Sequence, residues 1–184
     1  MPTRFRLPSL LPFLIALGAC APDIEPVDDP STPALVAAAE RGDLKSLDAL
    51  LAGNAAPDVR DLCEWTPLMK AALNGHEPAV RRLLDAGAAV DAADKGGYTA
   101  LMLAASNNHA QTVRLLSAAG ADPNHAEPGM GWTALIWSAK QGHAEAVQAL
   151  LAAGADPSLT DNSGRSAKDW ARENQHAAIL KLLP

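Results

Sequence analysis

Residues 66–94 read TPLMKAALNGHEPAVRRLLDAGAAVDAAD, the pattern of two short helices followed by a stop. The small pair Ala71–Ala72 lets the first helix approach a neighbour closely. Val80, Leu83 and Leu84 fall at i, i+3 and i+4, the apolar stripe of a second helix. Gly87 follows the leucine pair, where a helix ends best in a left-handed residue. The same marks recur on both sides of this stretch. Thr66, Thr99, Thr133 and Ser166 are spaced by 33, 34 and 33 residues, and His76, His109, His143 and His176 keep the same spacing. Leu47, Val80, Val113 and Val147 keep step, as do Asn54, Gly87, Gly120 and Gly154, with Asn the next most tolerant residue after Gly for left-handed backbone. Ala38–Ala39 and Ala104–Ala105 repeat the small pair. Several independent columns at one period mean a solenoid, whose units bury their apolar faces only against one another.

TPLMKAALNGHEPAVRRLLDAGAAVDAAD (66–94) and TALIWSAKQGHAEAVQALLAAGADPS (133–158) resemble the signature of the ankyrin repeat: a Thr-Pro-Leu opening, an Ala-Ala pair, Gly-His, a Val and Leu-Leu pair, then Gly-Ala. The resemblance covers residues 34–184 in five units, about 34–61, 62–94, 95–127, 128–161 and 162–184. It implies an all-α ankyrin-repeat solenoid of stacked helix-turn-helix units with short β-hairpin fingers. The first unit lacks the finger and reads as an N-terminal cap; Thr32 before Pro33 reads as an N-cap ahead of a proline at the first helical position. The fifth stops after its second helix and reads as a C-terminal cap. One column departs from the family. Met69, Met102 and Ile136 stand where the signature has His, so apolar packing is expected to replace that residue's hydrogen bonds.

Ahead of the repeats lies a different kind of sequence. Arg4 and Arg6 precede the apolar run LLPFLIALGA, too short to span a bilayer, and residues 1–19 read as a signal peptide. Leu17-Gly18-Ala19-Cys20 resembles the lipobox of bacterial lipoproteins, which implies cleavage before Cys20 and lipid on its sulfur. Ala21 in place of Asp implies passage to the outer membrane rather than retention at the inner one. Residues 20–33 then form an acylated cysteine and a Pro/Asp-rich tether that cannot bury a core. The expected location is therefore the bacterial cell envelope, lipid-anchored and facing the periplasm.

Loss of residues 1–19 removes two arginines and no acid, leaving 13 basic against 21 acidic residues, the wrong sign for nucleic acid. With Cys20 acylated, Cys63 is a lone thiol and the fold does not depend on a disulfide. The in-register histidines invite a metal reading. Units about 8–10 Å apart cannot bring equivalent histidines to one zinc at about 2.1 Å, so no metal and no cofactor is expected. Asp156, Asp161 and Asp169 read as repeat-consensus or helix-start residues, and no catalytic motif is present. The only enzymatic reading, Cys63 as nucleophile, has no histidine base in a motif.

What remains is recognition. Trp65, Tyr98, Trp132 and Arg165 occupy the residue before the Thr/Ser column, which in ankyrin proteins lies on the finger facing the concave groove. Aromatics and arginine dominate binding hot spots, so this row is one candidate surface. The alternative is that the rings cover hairpin backbone and pack on Met69, Met102 and Ile136. Trp137 and Trp170 share an inner-helix column with Lys70 and Leu103, and packing of the two indoles on each other is expected. The segment HAEPGMG (125–131) carries the extra residue that makes one spacing 34, and its Met130 is a candidate adaptable contact. Asn74, Asn107 and Gln141 complete the candidate groove. The resemblance implies a non-enzymatic monomer that binds a periplasmic protein, either as an immunity protein neutralising a delivered toxin or as helper of a periplasmic enzyme such as one in peroxide defence.

Overall fold

The computed structural model describes residues 33–184. The expected signal peptide (1–19), Cys20 and the tether up to Thr32 lie outside the described residues. Ten helices follow in five pairs: α1 (Ala34–Arg41) and α2 (Leu44–Ala52), α3 (Pro67–Leu73) and α4 (Glu77–Asp85), α5 (Ala100–Ser106) and α6 (Ala110–Ala118), α7 (Ala134–Gln141) and α8 (Ala144–Ala152), α9 (Ala167–Glu173) and α10 (Ala177–Leu182). The odd-numbered helices pack side by side as an inner layer, and the even-numbered ones pack beside one another and against them as an outer layer. The chain is thus an all-α solenoid.

Each inner helix starts on the Thr/Ser column. Thr66, Thr99 and Thr133 accept the backbone N–H three residues on through Oγ1, satisfying a donor that the first helical turn leaves open. In α9 the device is reciprocal: Ser166 Oγ accepts from Asp169 N–H, and Asp169 Oδ2 accepts from Ser166 N–H at 3.0 Å. Helix α1 differs from expectation. Pro33, with φ −56° and ψ 136°, is itself the cap and the helix begins at Ala34. Met69, Met102 and Ile136 are buried to within 1%. Apolar packing does stand at the departed column, helped in α3 by Met69 Sδ, which accepts the Thr66 N–H at 3.4 Å.

The histidines stitch one unit to the next. His76, His109, His143 and His176 bond through Nε2 to the carbonyls of Glu40, Leu73, Ser106 and Lys140, at 2.9–3.0 Å. A carbonyl only accepts, so Nε2 carries the proton in each ring. This explains the glycine before the histidine. A Cβ on Gly75 would lie 2.5 Å from the His109 ring, and on Gly142 it would lie 2.8 Å from the His176 ring. Where Asn108 takes that place at φ 58°, its Oδ1 caps the neighbouring helix by accepting Ala146 N–H.

Candidate recognition groove

The fingers between units are single β-bridges, Ala93 to Thr99, Ala126 to Thr133 and Thr160 to Ser166. An acidic side chain organises each turn. Asp61 Oδ1 accepts the N–H of Cys63 and of Trp65, Asp94 Oδ1 those of Gly96 and Tyr98, and Asp161 Oδ1 those of Ser163 and Arg165. The fourth-unit finger contains the extra residue, and there the acid is Glu127. Its carboxylate, one methylene further out, gathers Gly129, Met130 and Trp132 N–H. Sequence reasoning passed over Glu127, yet the signal was present: the aspartate column changes to glutamate where the spacing changes from 33 to 34.

These turns aim the row Trp65, Tyr98, Trp132 and Arg165; its three aromatics take the packing alternative, while Arg165 is exposed. The three aromatics are 6–7% exposed. Tyr98 packs on Trp137 with ring centroids 5.1 Å apart, and Trp132 lies 5.8 Å from Trp137 and 5.9 Å from Trp170. Trp137 and Trp170 were expected to pair with each other; instead each pairs with Trp132, because the finger ring leans onto the inner helices. Burial, with the Glu127 and Asp94 carboxylates nearby, raises the Tyr98 phenol above its ordinary value. The rings are core, lining the finger side of the inner layer.

What the rings hold is charge. Lys70 Nζ stands 4.8 Å from the Trp65 ring centre and Arg165 Cζ 4.6 Å from that of Trp170. Lys140 Nζ stands 4.4 Å from Trp132 and 4.3 Å from Trp170, between two indoles. Beneath them, Asp161 takes the Trp170 Nε1–H at 2.8 Å. Burial pushes the Asp161 carboxyl up, but the donors Ser163, Arg165 and Trp170 outweigh it and hold the pKa at about 2.

The remaining candidates divide. Arg165, Met130, Asn74, Asn107 and Gln141 are exposed. Met130 is 48% exposed at the tip of its finger, where Asn162 of the next finger donates its Nδ2–H to the Gly129 carbonyl and its backbone N–H to the Met130 carbonyl. Arg165 also pairs with Glu173 at 2.7 Å. Asn74 and Asn107 direct Nδ2 to inner-helix carbonyls at Lys70 and Leu73, so part of their polarity is spent on the fold. Cys63 departs from the expected lone thiol: it is disulfide-bonded, and no cysteine among the described residues is free. Among the described residues no three His, Cys, Asp or Glu side chains stand close enough to share a metal ion, and no helix is long and apolar enough to cross a membrane.

The geometry is thus a layer of inner helices, edged by the fingers, on which Lys70, Lys140 and Arg165 lie against the rings of Trp65, Trp132 and Trp170. A search of curated proteins finds no match to the chain. A family model described as ankyrin repeats in three copies matches residues 35–127 and 120–184, nearly the whole described region. Together with the ten stacked helices, this match means that the chain belongs to the ankyrin-repeat family.

Proposed function

We propose that the protein is a non-enzymatic module of the bacterial envelope that binds a periplasmic protein through the groove and finger tips. One observation carries the reading. The inner-helix column Glu40, Leu73, Ser106, Lys140 and Glu173, and the exposed column after it, Arg41, Asn74, Asn107, Gln141 and Asn174, change chemistry from unit to unit, while the buried column before them is Ala39, Ala72, Ala105 and Ala139 in the first four units. Packing alone gives no reason for that variety; reading a partner does. The lipobox at Leu17–Cys20 supports a lipid anchor, with the periplasmic face of the outer membrane as its place. Lipid on Cys20 and the oxidation state of the chain are both legible in its mass. The intact mass of the membrane-extracted chain reads which state is present. A mass for cleavage before Cys20 plus diacylglyceryl supports the anchor, and a chain two hydrogens light with no lipid removes it.

The binding test is capture of proteins from envelope extract, comparing the wild type with Gln141→Arg and with Met130→Ala/Arg165→Ala. A partner lost from these variants at unchanged melting temperature is the expected result. Retention of every captured protein by both variants would remove the groove from consideration. An immunity role then predicts protection of cells expressing a cognate toxin, and a helper role predicts a change in the activity or abundance of a resident enzyme.

A further inference from the structure

A second candidate site lies on the outer layer and shares no residue with the groove. Between the starts of α4, α6 and α8 is a cavity of about 550 Å³, walled by the first turn of α6. We infer that this cavity binds a carboxylate, held by the Gln111 and Thr112 N–H groups, the Thr112 hydroxyl and the Arg114 guanidinium.

A buried group without a partner is the first support. Thr112 lines the cavity and is 1% exposed, and its Oγ1 makes no hydrogen bond. A buried hydroxyl left unmet costs stability. Ala79 and Ala146 stand at the same place in α4 and α8, so packing does not require a hydroxyl there.

The neighbouring units show what that place receives. In α2 the corresponding residue is Ser46, and its N–H donates to the Asp43 carboxylate at 3.1 Å. The Ser46 hydroxyl bonds the same carboxylate and, with that N–H, holds the Asp43 pKa below its ordinary value. In α8 the Ala146 N–H donates to Asn108 Oδ1 of the preceding unit at 3.2 Å. Helix α6 has neither device. His109 stands in place of Asp43 and turns its Nε2–H to the Leu73 carbonyl, and Gly75 stands in place of Asn108. Neither Gln111 N–H nor Thr112 N–H has an acceptor among the described residues. A hydroxyl and an N–H on one residue, the pair that takes a carboxylate in α2, thus face this cavity together.

Charge at the α6 start agrees. This nine-residue helix has no acid in its first turn, where α4 has Glu77 and α8 has Glu145, and a helix start presents partial positive charge. Arg114 lines the cavity, is exposed and makes no ion pair among the described residues. Glu77 and Glu145 line it as well and oppose an anion, so relieving one of them should tighten binding.

The test titrates the isotope-labelled full-length chain in detergent with sodium acetate at constant ionic strength and follows the Gln111 and Thr112 amide resonances. Sodium chloride and acetamide are the controls. Both amides should shift and saturate with a Kd of about 1–10 mM for acetate, at least about threefold tighter than for acetamide. Thr112→Val and Arg114→Met should each weaken acetate at least about threefold, and Glu145→Gln should tighten it. Thr112→Val removes the unmet hydroxyl, so its melting temperature without acetate should be unchanged or higher. An end-blocked Gly-Asp-Gly peptide that saturates below acetate makes a protein's acidic side chain the source; acetate at equal or lower concentration makes it a small free carboxylate. Shifts no larger than those with chloride overturn the inference, and so does wild-type acetate affinity in folded Thr112→Val and Arg114→Met. The wild-type titration needs no variant to fold, and its outcome leaves the groove reading untouched.

Discussion

Two indoles of one column carry their N–H groups into different surroundings. Trp170 Nε1–H donates to Asp161 Oδ2 at 2.8 Å, whereas Trp137 Nε1–H is buried without an acceptor. Removing a donor from a buried carboxylate is costly, and removing an unsatisfied donor is not. Trp170→Phe should therefore destabilise by about 1–3 kcal/mol, and Trp137→Phe by well under that, in paired urea titrations. Equal losses would mean that ring size matters and the hydrogen bond does not. His143 makes a second residue-scale prediction. Its pKa lies below 6.5, first because it is buried, with His176 and His109 adding repulsion and the bond to the Ser106 carbonyl opposing them. The folded state thus binds the proton less readily than the unfolded one, so His143 contributes stability above pH 6.5 that is lost as pH falls through the folded value. Between pH 7 and 5 the wild type should lose stability, and His143→Gln should show a shallower slope in denaturant titrations. These roles were partly legible in the sequence. The histidine column announced a structural part in the outer helix, but its acceptors lie 36–37 residues back, a separation that no local pattern encodes.

At the scale of the element, the fingers show how a one-residue insertion is absorbed. An aspartate reaches two amides of a turn in units two, three and five, and Glu127 reaches three in the longer turn of unit four. Length of side chain and length of loop are matched. Glu127→Asp alone should leave buried N–H groups short of their acceptor and destabilise by about 1–3 kcal/mol. Deleting Met130 in the same chain returns the unit to 33 residues and should recover most of that loss, whereas the deletion alone should not stabilise. Additive losses in thermal melts of the two single changes and the double would separate the acid from the loop. The finger of unit two is tuned differently. Glu64 adopts φ 66° where the other fingers have Gly97, Gly131 and Gly164, and Arg60 Nη1 donates to its carbonyl at 2.9 Å.

For the molecule as a whole, each unit touches only its neighbours, so stability is distributed along the stack rather than held in one centre. Ile179, at 0% exposure in the last pair, is covered from one side of the solenoid, while Leu116 in the third pair has units on both sides. Leu116→Ala should lower the entire unfolding transition by about 2–5 kcal/mol. Ile179→Ala should instead let α9 and α10 open first, seen as a smaller m-value and early loss of Trp170 fluorescence contrast. A single sharp transition for both variants would show stronger coupling between units than the neighbour-only contacts imply. The sequence by itself determined the period, the helix pairs, the capping threonines, the left-handed glycines and the apolar stripes, because each of these is written within about one turn of the chain or repeats at a fixed offset. Only the tertiary structure decided which way Trp65, Tyr98 and Trp132 turn, that Trp137 and Trp170 meet through Trp132, and that Lys70, Lys140 and Arg165 come to rest on the tryptophan rings. A ring before a helix can face solvent or its neighbour with the same local backbone; the choice belongs to the unit stacked beside it, where burying an indole gains more than exposing it.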